Sequence, residues 1–250
     1  MENISIIGDG QGKLAAYCFM PENECRYILI ICHGFRGAKE NGGRIFTFAE
    51  KLNKLGLGVL VFDFSGSGAS DGDFANISLS SQVSDLRQVI DYVDSNYNRQ
   101  LILLGRSFGG STVLAAAGYN EKVAGYIFWS TPVKLYETFT GIVEEFARLE
   151  AGEELEIKDE AGSFWLKPSF IEDLAHHDME NYLQKIETCP ALVIHGATDE
   201  VVDPANALYI YENTPHTELH IISGADHRFT QYIKEREDLT LNWLQRTFFK

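Results

Sequence analysis

Short apolar runs alternate along this chain with longer stretches in which apolar positions recur every three or four residues. The runs "KLAAYCF" (13–19), "YILIIC" (27–32), "GVLVFDF" (58–64) and "LILL" (101–104) read as strands. So do "VAGYIFW" (123–129), "ALVIH" (191–195) and "ELHII" (218–222). From Gly43 to Leu55 the spacing predicts a helix, with Ile45, Phe48, Ala49 and Leu52 on one face. Leu79 to Tyr97 is a second, with Val83, Leu86, Val89, Ile90 and Val93 inward. Further helices are expected from Ser107 to Gly118, over 204–212 and over 231–248. Strands that are apolar throughout are buried on both faces, as in a parallel sheet covered by helices. Their alternation with helices predicts a doubly wound α/β layout.

One segment breaks the rhythm, from about Pro132 to Cys189. It predicts a helix over Val133–Leu149, then an acidic stretch folding as a hairpin around Asp159 to Ser163. A second helix is expected from Pro168, a residue suited to a first helical position. This segment reads as an insertion between two sheet strands. The remainder, 1–131 and 190–250, reads as one core, and 132–189 as an inserted lid subdomain.

Composition narrows the function. A chain of 250 residues fits one large domain. Its 21 basic and 36 acidic residues leave a net charge of −15. Such a surface repels nucleic acid and anionic membranes, and it disfavours polyanionic substrates. No run approaches the roughly 18 apolar residues of a membrane span. The start of the chain shows no export signal, so a cytoplasmic location is expected. Cys18, Cys25, Cys32 and Cys189 form no C-x-x-C and are expected to be reduced and structural. Neither a metal nor a cofactor is expected.

The chemistry lies in a pattern that occurs twice. Gly105-Arg106-Ser107-Phe108-Gly109 and Gly68-Ala69-Ser70-Asp71-Gly72 both read G-x-S-x-G. A nucleophilic serine of this type needs a sharp strand-to-helix turn that exposes its Oγ. Ser107 has a strand before it and a helix after it, whereas Ser70 sits among turn formers. A serine hydroxyl also needs a base, and the base needs an orienting acid. His227, in "SGADHRF" after the last strand, is the preferred base among seven histidines. Asp199, four residues past "ALVIH", is the preferred acid. Asp203 comes second, because Pro204 behind it suggests a helix cap. Oxyanion donors are expected from the backbone N–H groups of Phe108 and of Phe35, in "HGFRG".

"CHGFRG", "FDFSGSGASDG", "GRSFGG", "HGATDEVV" and "GADHRF", in this order and spacing, resemble the α/β-hydrolase superfamily. The second G-x-S-x-G then belongs to that family's loop after the fourth strand. More narrowly, the chain resembles small bacterial carboxylesterases of the cinnamoyl and feruloyl type. The resemblance implies an α/β-hydrolase fold: a mostly parallel eight-stranded sheet, helices on both faces and a lid inserted after the sixth strand. It also implies ester hydrolysis through an acyl-enzyme. Arg106 stands where that group commonly has histidine, and the insert lacks a recognisable phenol-binding motif, so cinnamoyl specificity does not carry over.

Tyr136, Phe139, Phe164 and Trp165 of the insert are candidate substrate-binding residues. The acidic insert favours a neutral, apolar or aromatic ester as the small-molecule partner. A homodimer is compatible with these features. The same triad serves amide or thioester hydrolysis and acyl transfer, and a non-catalytic small-molecule receptor is the rival from another class.

Overall fold

The computed structural model describes residues 1–7, 12–159 and 162–249. Ten strands form two sheets among these residues. The main sheet comprises β1 (Glu2–Ile7), β2 (Lys13–Phe19), β3 (Tyr27–Cys32), β4 (Leu57–Phe62), β5 (Gln100–Arg106), β6 (Val123–Trp129), β9 (Ala191–Gly196) and β10 (Thr217–Ile222). Their order across the sheet is β1-β2-β4-β3-β5-β6-β9-β10. The pairs β1–β2 and β2–β4 are antiparallel; the pairs from β4 to β10 are parallel. The expected mostly parallel eight-stranded sheet is therefore present.

Alternation within the central strands divides the core. Ile28, Ile30 and Cys32 of β3 face one layer with Leu101 and Leu103 of β5. Tyr27, Leu29 and Ile31 face the other with Ile102 and Leu104. The first layer takes α2 (Leu79–Tyr97), α3 (Phe108–Ala115) and α8 (Ala205–Glu212). The second takes α1 (Arg44–Lys54) and α9 (Ile233–Phe248). Every residue of α3 is buried, so this helix shows no polar face to read. Helix α2 starts where the sequence predicts, because Ser78 and Ser81 form a reciprocal capping box.

Two elements depart from the sequence reading. Strand β1 was not expected: only Ile6 of its six residues is buried, because it is an edge strand paired with β2 alone. The single helix expected over Val133–Leu149 is two helices, α4 (Leu135–Ile142) and α5 (Phe146–Glu150). Between them Val143 is extended and Glu145 is left-handed, with φ of 59°. Gly141 and the β-branched pair Ile142-Val143 weaken the helix here. The break lets Val143, Phe146 and Leu149 bury together with Phe139.

The insert continues with β7 (Leu155–Asp159), β8 (Gly162–Leu166), α6 (Pro168–Leu174) and α7 (Met179–Gln184). β7 and β8 pair antiparallel as the expected hairpin, whose turn at 160–161 lies outside the described residues. Pro168 opens α6 as expected. His177 ties the insert to α2 through Ser80 at 3.1 Å and lies 3.3 Å from Asp173. Among the described residues no helix is long and apolar enough to cross a membrane. All four cysteines are free thiols.

Candidate active site

Ser107 occupies the turn between β5 and α3 with φ of 52° and ψ of −129°. A non-glycine residue held there stores roughly 1–3 kcal/mol of strain. The fold supports the strain from both sides. The Ser107 N–H donates to the Trp129 carbonyl at 2.8 Å, and the Gly110 N–H donates to the Ser107 carbonyl at 2.7 Å. The flanking glycines are required by close approach. A Cβ on Gly105 would collide with the Gly109 and Gly110 backbone, and one on Gly109 with the carbonyls of Cys32 and His33. The pattern at 105–109 thus follows from a helix that begins directly against two strand ends.

His227 reaches the elbow from the loop after β10. Its Nε2 lies 3.1 Å from Ser107 Oγ, and its Nδ1 lies 2.9 and 3.0 Å from the two carboxylate oxygens of Asp199. A carboxylate only accepts, so Nδ1 carries the proton in this arrangement and Nε2 is left to accept from the serine hydroxyl. The Asp199 side chain is fully buried. It also accepts the N–H groups of Val201 and Val202, at 3.0 and 2.8 Å. Burial alone would raise its pKa. The hydrogen bonds from His195 and His227 outweigh burial and hold it well below the usual carboxylate range. Of the other acids, Asp203 takes the Ala205 N–H as a cap, and Asp226 takes the Thr230 N–H.

His195, one of the histidines not preferred as base, contacts the same carboxylate. It is buried at the end of β9, with Nε2 2.8 Å from the Val202 carbonyl and 3.2 Å from Asp199 Oδ2. Asp199 is therefore clasped between two imidazoles. The signal was a histidine four residues before the acid, across the turn "HGATD".

The loop after β3 completes the elbow's surroundings. Gly34 allows this loop to approach Ser107, since a Cβ there would stand 3.0 Å from Ser107 Cβ. His33 acts as a peg: its Nε2 accepts the Phe64 N–H at 3.1 Å, and its Nδ1 donates to the Gly34 carbonyl at 2.8 Å. Burial lowers its pKa, which keeps it neutral in this role. Phe108 is the first residue of α3, so its N–H has no partner within the helix. Phe35 is the first central residue of a turn closed by the Gly37 N–H on the Gly34 carbonyl. The Phe35 ring packs against Phe74, Phe108, Phe139, Phe164 and Phe170, with centroids 5.3–6.2 Å apart. Each such pair contributes about 0.5–1.5 kcal/mol beyond its buried area. This cluster fixes the loop against the insert.

A cleft of about 1560 Å³ opens beside Ser107 and His227. Phe139, Phe164 and Trp165 line it, together with Phe35 and Phe108. Tyr136 is not among its walls: its hydroxyl bonds to Glu150 and its ring packs edge-on against Phe146. It faces away because α4 turns its other side, with Phe139, toward the core.

The chain's likeness to known proteins agrees with this geometry. Residues 23–156 match the family model described as serine aminopeptidase, S33. The chain is 29% identical over 215 residues to the mitochondrial palmitoyl-protein thioesterase ABHD10 of Rattus norvegicus, spanning 80% of this chain and 68% of that protein. Among solved structures, Est1E from Butyrivibrio proteoclasticus with ferulic acid bound superimposes with a TM-score of 0.89 at 26% identity. That match covers 99% of this chain and 100% of Est1E. Mouse ABHD10 shares the fold, with a TM-score of 0.78 at 23% identity over 98% of each chain. The chain belongs to the serine aminopeptidase S33 family: it is an α/β-hydrolase enzyme, with a palmitoyl-protein thioesterase among the proteins it resembles.

Proposed function

We propose that the protein hydrolyses carboxylic esters of small molecules through an acyl-enzyme on Ser107. The observation that carries this reading is the unbroken line from Ser107 Oγ through the His227 ring to the buried Asp199 carboxylate. In this mechanism Ser107 Oγ attacks the ester carbonyl while His227 Nε2 takes its proton. Asp199 holds the ring's tautomer and stabilises the imidazolium. The carbonyl oxygen becomes an oxyanion held by the Phe35 and Phe108 N–H groups. His227 then protonates the departing alcohol, and a water activated the same way releases the acid.

On this reading the segment 132–189 is a lid, and Phe139, Phe164 and Trp165 receive an apolar or aromatic part of the substrate. The test is hydrolysis of p-nitrophenyl esters of graded acyl length. Turnover that survives unchanged in Ser107→Ala contradicts the mechanism. The likeness to a rat protein named as a thioesterase favours thioesters as a second substrate class. Matched oxygen and sulfur esters of one acyl group separate the two: whichever gives the higher kcat/KM identifies the favoured leaving group.

A further inference from the structure

We propose that the cleft contains a carboxylate-binding pocket beside the nucleophile, built by Arg106 and Arg236. The proposal rests on the ester-hydrolase reading and adds one feature to its substrate: an acidic group as well as the ester.

Arg106 ends β5, one residue before Ser107, and its side chain follows Ile102 and Leu104 to the α1 and α9 face. Its register partner on β6 is Trp129. The Arg236 guanidinium, carried on α9, lies over that same indole, 3.9 Å from the ring centroid, and 5.1 Å from the Phe229 centroid. Arg236 is only 3% exposed. The Nε atoms of both arginines are shut away from water without an acceptor. Among the described residues neither guanidinium makes a hydrogen bond or an ion pair. Yet both line the cleft that holds Ser107 and His227.

Four carboxylates around the triad and Arg236 are engaged elsewhere. Asp199 holds His227 and two backbone N–H groups, Asp226 caps Thr230, Glu200 accepts the His227 N–H, and Glu237 pairs with Lys51 at 2.8 Å. Two exposed arginines at the cleft, Arg44 and Arg228, add further positive charge. Burial, then the Arg106 charge, pushes Arg236 down to about 9; burial, then Arg228 and Arg44, pushes Arg106 down.

Buried charges are normally paired, because an unpaired one forfeits its hydration without return. Here one buried and one partly buried guanidinium line the same cleft with their donors unused. A carboxylate matches the planar fork of a guanidinium and gains most where water is excluded. The sequence argued for a neutral substrate from net charge. Part of that charge, Glu144, Glu145, Glu154 and Glu156, lines the cleft from the insert, whereas these arginines line it from β5 and α9, on the side of Ser107. The substrate class that fits is an ester with an apolar or aromatic body and one free carboxylate.

Two matched pairs of esters test this with the intact protein. Mono-p-nitrophenyl glutarate and its methyl ester place the acid on the acyl side. 4-Acetoxybenzoate and its methyl ester place it on the alcohol side. The expected result is at least a tenfold higher kcat/KM for the acid in one pair, with that ratio falling toward 1 in Arg236→Gln and in Arg106→Gln. Because the readout is a ratio within each variant, partial loss of folded protein does not imitate it. Equal or lower kcat/KM for the acids in both pairs overturns the pocket, as does a ratio that neither variant changes. Calorimetric titration with glutarate and with 4-hydroxybenzoate separates the two proposals. Binding lost in Arg106→Gln, with no ester hydrolysed, keeps the pocket and removes the ester reading. Hydrolysis of the methyl esters alone, with no binding of either acid, does the reverse.

Discussion

Two loops of this molecule share the letters G-x-S-x-G and put them to opposite uses. At 105–109 the strain falls on the serine, whose φ is 52°, while the glycines yield space to backbone. At 68–72 the glycines carry the unusual backbone, with φ of 53° at Gly68 and 106° at Gly72. Ser70 spends its hydroxyl on structure: Oγ donates to the Asp63 carbonyl at 2.6 Å and accepts the Ala15 N–H at 2.9 Å. The loop is held by the buried Asp63 carboxylate, which takes the Lys39 ammonium and the N–H groups of Lys39 and Ala69. Ser107 keeps its hydroxyl for an imidazole. A short motif therefore states which residues are present, and the flanking strand and helix decide what they do.

This comparison can be broken most sharply at the serines. Ser107→Ala should lower kcat/KM on p-nitrophenyl esters by roughly 10⁴-fold or more. Asp199→Asn should cost about 10³- to 10⁴-fold by favouring the wrong His227 tautomer, with KM little changed. His195→Gln should cost less, about tenfold in kcat, since it only positions Asp199; a loss as large as that of Asp199→Asn would promote it to a more direct role. Ser70→Ala should leave kcat/KM within about threefold. Denaturant unfolding should instead show a stability loss of about 1–3 kcal/mol, from a lost hydroxyl that leaves the Ala15 N–H and the Asp63 carbonyl without it.

The smallest effect expected is on the insert's attachment. Burial would raise the pKa of Asp173, but hydrogen bonds from His177 and Ser80 bring it down to about 2. The folded value lies below the unfolded one of about 3.9, so the fold favours the ionised form. Its contribution is complete above pH ~4 and drains away as pH falls toward 2. Thermal unfolding of the protein and of Asp173→Asn should differ most near pH 5 and converge near pH 2.

Strongly patterned elements were legible from the sequence to the residue. Helix α2 and strand β6 match their expected limits, because a capping box begins the first and an unbroken apolar run defines the second. The edge strand β1 and the broken α4–α5 pair were not, since neither carries a pattern of its own: one is mostly exposed and the other follows the shape of the core. The meeting of Ser107, His227 and Asp199 was readable because chain order and strand ends constrain it. Tyr136 was misplaced because an aromatic residue in an insert can face either way. Arg236 was missed because "KEREDL" reads as a solvated helix face. Yet it precedes Thr240, Trp243 and Leu244 at helical spacing, and all of these are buried.

The central claim is that Ser107, and not its twin, is the nucleophile. Mass spectrometry of the protein after reaction with a fluorophosphonate tests it most directly. The account predicts one adduct, on the peptide containing Ser107, and its loss in His227→Ala. An adduct on Ser70, or ester turnover with no adduct on Ser107, would contradict it.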